Sequence, residues 1–383
     1  MTIHPVEFYR HSLGEAEFGS VRETLASIFI TLGPRVGDFE QKFADFLGVP
    51  FVVGVSSCSM ALVLTLRALG VGPGDDVITT PMTFVATPNA ALQVGARPVF
   101  ADIDPQTGLL DPEAVEAAIT PRTKAILSVG LYGQLADMPA LRSIADRHGI
   151  LLVDDAAHSI EAERDGIRTG ALPHATTFSF YATKNLTSGD GGAIAVHDEQ
   201  LARRLRSLRN HGITKDAATR YGQSYTHWDM TELGYKTPLT DIQAALLLPQ
   251  LPHLLERRAQ RQALVERYER ELASVEDVQL VSRCGRSAHH LFTVLVPALH
   301  RDPVLAGLGR RKIGCAVNYR AVHTLDYYRR TFGYTRDDYP HAADFGERTI
   351  TLPLWPDLPA DDISVVVEAL AEALADARSG APA

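Results

Sequence analysis

Lys184 stands in a segment that could place a reactive amine next to a bound molecule. A predicted strand of hydroxyl and aromatic residues, 176–180, precedes it, and the Gly-rich segment 189–192 follows it. An amine near apolar walls loses its charge more readily and can act as a nucleophile or as the partner of a Schiff base. Taken singly, this motif is equally compatible with a surface lysine that follows a strand.

Asp154 and Asp155 are the second candidate, because they end a predicted buried strand and are followed by His158. In open α/β sheets, ligands bind at the carboxyl ends of the strands. An ionised carboxylate is costly to bury there unless a cation or several hydrogen-bond donors meet it. An isolated pair of this kind would be better explained as a helix-capping Asp followed by a loop histidine.

A hydroxyl-rich turn, Ser56, Ser57, Cys58 and Ser59, is the third candidate and lies between a predicted strand and a predicted helix. The free N–H groups and the positive end of the dipole at a helix N-terminus bind anions, and the hydroxyls add donors. Considered alone, the turn is better explained by serines that cap the helix.

Together, the three motifs meet the needs of pyridoxal phosphate (PLP). Its phosphate needs anion donors, its pyridine nitrogen needs a carboxylate, and its aldehyde needs an amine. Zinc and dinucleotide sites fit less well, because the sequence contains no His-Glu-x-x-His, no paired cysteines and no Gly-x-Gly-x-x-Gly that opens a helix.

The elements that must position these residues alternate between short apolar runs and amphipathic stretches. This alternation predicts βαβ units and a mostly parallel sheet covered by helices. Residues 240–243 have the form of a capping box that opens a further helix. The predicted strands are 51–55, 77–79, 98–100, 125–129, 150–153 and 193–196, and the predicted helices are 60–69, 112–119, 138–148 and 199–209.

A change of pattern near residue 250 predicts two domains. Residues 1–250 are predicted to form a large PLP-binding α/β domain, and residues 251–383 a smaller α+β domain. The smaller domain is expected to contain a long Arg-rich helix at 253–275, strands at 291–296 and 313–319, and a closing helix at 361–377.

Composition excludes several classes of protein. The 383 residues are 45% hydrophobic and carry 37 Lys and Arg against 46 Asp and Glu, a net charge of −9. These proportions indicate a globular chain and argue against a nucleic-acid partner, which would need a basic face. No signal peptide or membrane-length apolar run is apparent, and the cysteines, which are scarce and odd in number at three, favour a cytoplasmic location.

The sequence resembles the DegT/DnrJ/EryC1/StrS family of PLP-dependent sugar aminotransferases between residues 33 and 354. This resemblance implies the fold-type I architecture, a mostly parallel sheet flanked by helices with a smaller C-terminal α+β domain, and a homodimer. The phosphate turn often reads Ser-Gly-Thr in this family, whereas Cys58-Ser59 stands here. The stretches that carry the resemblance are 81–87, 95–100, 131–134, 155–158, 178–185 and 239–245.

By this resemblance, Lys184 is the amine that binds the cofactor aldehyde and Asp155 is the partner of the pyridine nitrogen. Lys236 stands where many relatives have an Asn that reaches the phosphate from the neighbouring subunit. His323 stands where the family has a substrate-side histidine, the alternative being a surface histidine before a helix. The remaining implied contacts are His158 and Phe84 at the cofactor ring, and Ser179, Ser59 and Met60 at its phosphate, the last two chiefly through their backbone N–H groups.

The activity that the resemblance implies is transfer of an amino group from L-glutamate to a keto sugar. A nucleotide-diphosphate 4-keto-6-deoxyhexose is the expected acceptor, with a 3-keto sugar as a variant. Two alternatives remain open: an aminotransferase of a cyclitol ketone, and a PLP-binding regulator without turnover. Dehydratases of the family have a histidine in place of the imine lysine, so Lys184 argues against that branch. The loops 213–231 and 321–339 are expected to select the acceptor.

Overall fold

The computed structural model describes residues 4–213 and 227–380 of the chain, so most of the loop 213–231 lies outside the described residues. Its strands are β1 (Phe51–Val55), β2 (Asp76–Thr79), β3 (Arg97–Phe100), β4 (Thr123–Val129), β5 (Leu151–Asp155), β6 (Glu163–Arg164), β7 (Ile167–Arg168), β8 (Ala175–Ser179), β9 (Gly192–Val196), β10 (Gln279–Leu280), β11 (Phe292–Leu295) and β12 (Thr349–Leu352).

The helices alternate with these strands through the first half of the chain. The α-helices are α1 (Glu15–Leu25), α2 (Pro34–Leu47), α3 (Cys58–Ala68), α4 (Ala86–Gln93), α5 (Pro112–Ala118), α6 (Met138–His148), α7 (Glu199–Leu208), α8 (Asp241–Leu247), α9 (Leu254–Leu272), α10 (Ala298–Arg310), α11 (Asp326–Phe332), α12 (Pro340–Arg348) and α13 (Ala360–Ser379). Short 3-10 turns lie at Leu131–Gly133, Leu251–His253, Val322–Thr324 and Arg336–Asp338.

Seven strands form the central sheet, in the order β1-β9-β8-β5-β4-β2-β3. Strand β9 runs antiparallel to β1 and β8, and the other neighbouring pairs are parallel. The predicted mostly parallel α/β sheet is therefore confirmed. The carboxyl ends of β5 and β8 meet at one edge of the sheet, which brings Asp155 and Ser179 to the same side.

Helices cover both faces of the sheet because its strands are apolar on both sides. Helices α2 and α8 pack with Val52, Phe178 and Ala195 on one face. Helices α3 and α7 pack with Val53 and Ile194 on the other face. The start of α3 is thereby fixed next to β9, at the edge where β5 and β8 end.

The C-terminal unit is built on an antiparallel sheet, β10-β11-β12, and packs α9, α10 and α13 around a hydrophobic core of its own. Val6, from the N-terminal segment, joins this core. The domain boundary predicted after residue 250 falls at the turn before α9 and stays a prediction.

The predicted strand at 313–319 is wrong, since this segment makes only isolated bridges. Ile313 pairs with Val6 and Ala316 pairs with Thr351. The segment then turns its end, Asn318 and Tyr319, toward a cavity beside the central sheet. Within the described residues, no helix combines the length and the apolar character needed to cross a membrane.

Candidate active site

A cavity of about 630 Å³ opens where the carboxyl ends of β5 and β8 face the start of α3 and the C-terminal unit. Residues from both halves of the chain line it, including His290 and Tyr319 from the C-terminal unit. Most of the predicted site residues lie on its wall, and these are Ser59, Phe84, Asp155, His158, Ser179 and Lys184.

Lys184 lies in the turn that follows β8, where its backbone N–H donates to the carbonyl oxygen of Tyr181 at 2.9 Å. Its amine nitrogen lies 3.5 Å from Nε2 of His290. Burial lowers the pKa of Lys184 to about 8, although the charges of Cys58 and Asp155 act in the opposite direction. An amine with this pKa is present in both its charged and its free form near neutral pH, as acid and base catalysis requires.

Asp155 is buried at the end of β5, with hydrogen-bond donors on both carboxylate oxygens. Thr87 Oγ1 donates to Oδ2 at 2.8 Å, and the backbone N–H of Ala157 donates to Oδ1 at 3.2 Å. The thiol of Cys58 lies 3.7 Å from Oδ1. Burial raises the pKa of Asp155, whereas these hydrogen bonds and the charge of Lys184 favour the ionised form.

Asp154 does not line the cavity, because neighbouring residues of a strand point to opposite faces. Its Oδ1 accepts a hydrogen bond from Ser128 Oγ at 2.6 Å. Its Oδ2 is buried and has no hydrogen-bond partner among the described residues. Burial, the largest effect, raises the pKa of Asp154 to about 7.

His158 and Phe84 face the cavity from different segments. His158 is buried, with Nε2 3.2 Å from the hydroxyl of Tyr319 and with Nδ1 lacking a partner among the described residues. Burial and the charge of Lys184 hold the pKa of His158 well below its ordinary value, so the ring is neutral. Phe84 is 56% exposed, and its ring centroid lies 5.9 Å from that of Tyr319.

Two of the three residues predicted to bind the phosphate, Ser59 and Ser179, line the cavity, and Met60 does not. Ser59 lies in the first turn of α3, and Ser179 ends β8, so their hydroxyls reach the cavity from two elements. The backbone N–H of Met60, which was predicted to face the phosphate, instead donates to the side chain of Ser57, the N-cap of α3, at 3.2 Å. The Ser57 side chain therefore caps the helix, which was the alternative interpretation of this turn.

Lys236 and His323 lie outside the cavity of their own chain. Lys236 is exposed, with its amine 3.3 Å from Oδ1 of Asn210, and its role toward a neighbouring subunit stays a prediction. His323 is fully buried, with Nε2 3.3 Å from the carbonyl oxygen of Arg336 and its ring 5.1 Å from that of Tyr339. It is therefore neither a cavity-lining residue here nor the surface histidine that was the alternative.

Among the residues at the site that were not predicted are Thr87, His290 and Tyr319. Thr87 lies inside the stretch 81–87 that resembles the family, so its hydroxyl could have been proposed as a partner of Asp155. His290 had no comparable signal, since it is 106 residues from Lys184 and belongs to a histidine doublet before β11.

The residues present fit PLP. The cavity has the size of a small-molecule site, and it combines one amine, one buried carboxylate and the start of a helix. Two buried polar atoms at its wall, Nδ1 of His158 and Oδ1 of Asn318, have no partner among the described residues and could meet a bound molecule. Lys184 and Asp155 would hold the aldehyde end and the ring nitrogen, and the start of α3 would face the phosphate.

Comparison with known proteins identifies the family. The model of the DegT/DnrJ/EryC1/StrS aminotransferase family matches residues 11–371. SpsC of Bacillus subtilis, a spore coat polysaccharide biosynthesis protein, is 40% identical over 366 residues, which are 94% of each chain. The structure of S. venezuelae DesV in complex with a ketimine intermediate superposes with a TM-score of 0.86, at 37% identity over 94% of each chain.

A further solved structure, Spr1654 from Streptococcus pneumoniae in its PMP form, superposes with a TM-score of 0.92. It is 30% identical, and the match covers 97% of this chain and 100% of the other. PMP is the amino form of the PLP cofactor, which agrees with the chemistry that the cavity can support. The family match over nearly the whole chain shows that the protein belongs to the DegT/DnrJ/EryC1/StrS family and is a PLP-dependent aminotransferase of fold type I.

Proposed function

We propose that the protein transfers the amino group of L-glutamate to a keto sugar carried on a nucleoside diphosphate, with a 4-keto-6-deoxyhexose as the acceptor. The observation that carries the proposal is that the amine of Lys184 and the carboxylate of Asp155 reach one cavity. The similarity to SpsC, whose name refers to polysaccharide biosynthesis, supports a sugar as the acceptor.

Asp155 serves as the fixed negative charge of the site. When bound, PLP supplies an electrophilic carbon and an aromatic ring that withdraws electrons from the reacting amine. A protonated ring nitrogen withdraws electrons best, so an ionised carboxylate must face it. The donors on Asp155, Thr87 and the N–H of Ala157, favour that ionised form in a buried place where it would otherwise be costly.

Lys184 moves the proton. Its free amine accepts the proton that leaves Cα of the amino donor, and its charged form later returns a proton. The lowered pKa of Lys184, which results from burial, lets one side chain serve in both directions near neutral pH. His158, held by its contact with the Tyr319 hydroxyl, and Phe84 provide the walls against which the ring is packed.

The hydroxyls of Ser59 and Ser179 would donate to the phosphate of bound PLP, together with free N–H groups at the start of α3. The N–H of Met60 is not one of these free donors, because it donates to the side chain of Ser57. By the family resemblance, Lys236 is the residue that would reach the phosphate bound at the neighbouring subunit, and its exposed amine does not line the cavity of its own chain.

A homodimer in the cytoplasm is part of the proposal. Four apolar side chains, Phe18, Leu25, Ile28 and Ile30, are exposed within one short N-terminal segment, as expected for a surface that a second copy covers. The three cysteines are all free, which suits a reducing compartment.

The acceptor is tested by mass spectrometry of the products. The enzyme is incubated with L-glutamate and with a panel of 4-keto and 3-keto nucleotide sugars and cyclitol ketones. We expect an aminated nucleotide sugar from a 4-keto acceptor, together with 2-oxoglutarate. Amination of a cyclitol ketone alone would contradict the proposed acceptor, and failure of glutamate to support any product would contradict the proposed donor.

The role of Lys184 is tested by Lys184→Ala. We expect turnover to fall by about 1,000-fold or more, because both the covalent partner and the proton carrier are lost. The absorbance of the covalently bound cofactor should disappear in the same variant. Lys42→Ala, which removes an exposed lysine paired with Asp38, is the matched control and should change neither property. Normal turnover in Lys184→Ala would refute the assignment.

A further inference from the structure

His290 faces the amine of Lys184 from the C-terminal unit. Its Nε2 lies 3.5 Å from Lys184 Nζ, and the residue is 5% exposed. Its ring centroid lies 4.4 Å from that of His158. A buried imidazole thus stands beside the nitrogen on which the proposed chemistry depends.

Asn185 determines which nitrogen of His290 carries a hydrogen. Its amide nitrogen lies 3.1 Å from one oxygen of Glu161 and 3.1 Å from the carbonyl oxygen of Ala288, and both of these groups can only accept. The amide oxygen of Asn185 must therefore be the atom that lies 3.1 Å from His290 Nδ1. Since that oxygen only accepts, Nδ1 of His290 must carry a hydrogen.

A buried ion pair holds Asn185 in this orientation. Arg261 donates to Oε1 of Glu161 at 2.7 Å, and the two side chains are 3% and 0% exposed. Arg261 also donates through Nε to the carbonyl oxygen of Ala288 at 3.2 Å. The carboxylate is thus fixed between the guanidinium and the Asn185 amide, and the amide has no second orientation that satisfies its neighbours.

The second ring nitrogen of His290, Nε2, is free to accept a hydrogen bond. Burial, with the charges of Lys184 and His158 next in effect, holds the pKa of His290 well below its ordinary value, so the imidazole is neutral. With its hydrogen on Nδ1, the neutral ring presents a lone pair at Nε2, toward the Lys184 amine.

We propose that His290 is a positioning residue: its unprotonated Nε2 accepts one N–H of Lys184 and directs the lone pair of that nitrogen into the cavity. Asn185, Glu161 and Arg261 hold the imidazole in the required tautomer. The inference rests on the proposed function of Lys184 and adds how the amine is oriented when it acts as a base.

A neutral imidazole suits the position beside the Lys184 amine better than a carboxylate or an apolar side chain would. A carboxylate there would stabilise the charged amine and keep the proton on it. An apolar side chain would leave one N–H of the half-buried Lys184 amine without an acceptor. The imidazole accepts a hydrogen bond from either form of the amine without adding a charge.

The tautomer is tested directly by nitrogen NMR of the enzyme labelled with ¹⁵N-histidine, both as isolated and after removal of the cofactor. Long-range proton–nitrogen correlations distinguish a ring nitrogen that carries hydrogen from one that does not, and His290→Gln assigns the signal. We expect hydrogen on Nδ1 alone at neutral pH. Hydrogen on Nε2, or on both nitrogens, would overturn the inference even if the proposed function holds.

Substitution tests the consequence for Lys184. His290→Phe removes the acceptor, and we expect the rate of the half-reaction with the amino donor to fall about 10- to 100-fold, while KM for that donor changes less than about threefold. In protein stripped of cofactor, the pH at which an acylating reagent begins to modify Lys184 should fall, because the charged amine has lost an acceptor. Mass spectrometry of the peptide containing Lys184 measures this change.

Two further variants separate positioning from a structural role. His290→Gln retains an acceptor and should restore most of the rate and the original pH of labelling. His289→Phe changes the adjacent buried histidine, which faces a separate cavity with Tyr132 and Gln134, and should alter neither property. The inference fails if His290→Gln is as impaired as His290→Phe, or if His290→Phe behaves like His289→Phe. If His290→Phe does not fold, the NMR result and His290→Gln decide.

Discussion

Two adjacent carboxylates at the end of β5 have different surroundings because the strand turns them to opposite faces. Asp155 meets donors from Thr87 and Ala157 in the cavity, whereas Asp154 meets a single donor, Ser128, inside the protein. The number of donors decides whether a buried carboxylate is held ionised or is driven toward its neutral form. The two residues can therefore be told apart by substitution with the isosteric amide.

Asp155→Asn should leave cofactor binding largely intact but lower the rate of the half-reaction with the amino donor about 100- to 1,000-fold. The amide keeps the shape and the Thr87 contact, yet it has no charge to stabilise a proton on the ring nitrogen. Single-turnover absorbance measurements give the rate, and titration with cofactor gives the affinity. A variant with full activity would show that Asp155 does not have the proposed role.

Asp154→Asn should instead change how stability depends on pH. The pKa of Asp154 is about 7 in the folded protein, against about 3.9 in an unfolded chain. Between these values the folded state holds a proton that the unfolded state has released, so the free energy of unfolding falls as pH rises. The loss is at most about 1.4 kcal/mol per pH unit, or about 4 kcal/mol in total.

The amide cannot titrate, so Asp154→Asn should gain stability relative to wild type as pH rises from about 4 to about 7. Denaturant unfolding of both proteins at several pH values, with saturating cofactor, measures the difference. Parallel stability profiles would show that the carboxyl group of Asp154 is not the titrating group.

At the scale of elements, the contact between β9 and α3 fixes the position of the turn 56–59, which is proposed to bind the phosphate. A Cβ atom at Gly192 would lie 2.6 Å from the backbone nitrogen of Cys58 and 2.8 Å from the carbonyl oxygen of Phe178. Backbone atoms on two sides cannot move aside as a flexible side chain would. Only glycine allows the start of α3 to approach the sheet this closely.

Gly192→Ala should therefore displace the start of α3 and weaken cofactor binding. We expect the Kd for PLP to rise at least about tenfold, with a loss of about 1–3 kcal/mol in stability from overpacking. Titration followed by absorbance measures the affinity. Gly309→Ala, at a helical position where a Cβ meets nothing within 4 Å, is the control and should be neutral or stabilising. Unchanged affinity in Gly192→Ala would show that the turn tolerates displacement.

The regular elements of the large sheet could be predicted from sequence, because their local signals agree with their tertiary surroundings. Helix α6 was predicted with its observed bounds: Asp137 caps its start and Gly149 ends it in the left-handed conformation. The segment 313–319 was not predicted correctly, since its backbone makes single bridges to Val6 and Thr351 and does not pair with a continuous strand.

A site residue could be predicted only where both its chemical type and its position at the end of a predicted strand pointed to the site. Asp155 ends β5 and Lys184 lies in the turn that follows β8, so the topology of a parallel sheet brings them together. His290 arrives from the C-terminal unit, and the burial of His323 depends on packing against Tyr339. No local pattern encodes the relative placement of two packed units, so such contacts require the structure.

At the scale of the whole molecule, the N-terminal segment presents an apolar surface that the single chain does not cover. Ile28, in the turn between α1 and α2, is 90% exposed, and Phe18 and Leu25 on α1 are also exposed. Helix α1 packs its buried side, which includes Thr24, toward α8. The apolar side chains that face outward are then available to a second copy of the chain.

Ile28→Asp places a charge on this apolar segment and should weaken the proposed homodimer at least tenfold, because a carboxylate buried between two copies would lack a partner. Sedimentation at several protein concentrations measures the dissociation constant. Leu299→Asp is the matched control: Leu299 is 83% exposed but lies on α10 in the C-terminal unit, and its substitution should leave association unchanged. A protein that stays dimeric with Asp at 28 but dissociates with Asp at 299 would place the interface on the C-terminal unit instead. If Lys236 reaches the phosphate bound at the neighbouring subunit, the affinity of Ile28→Asp for PLP should fall as the protein is diluted and its dimer dissociates.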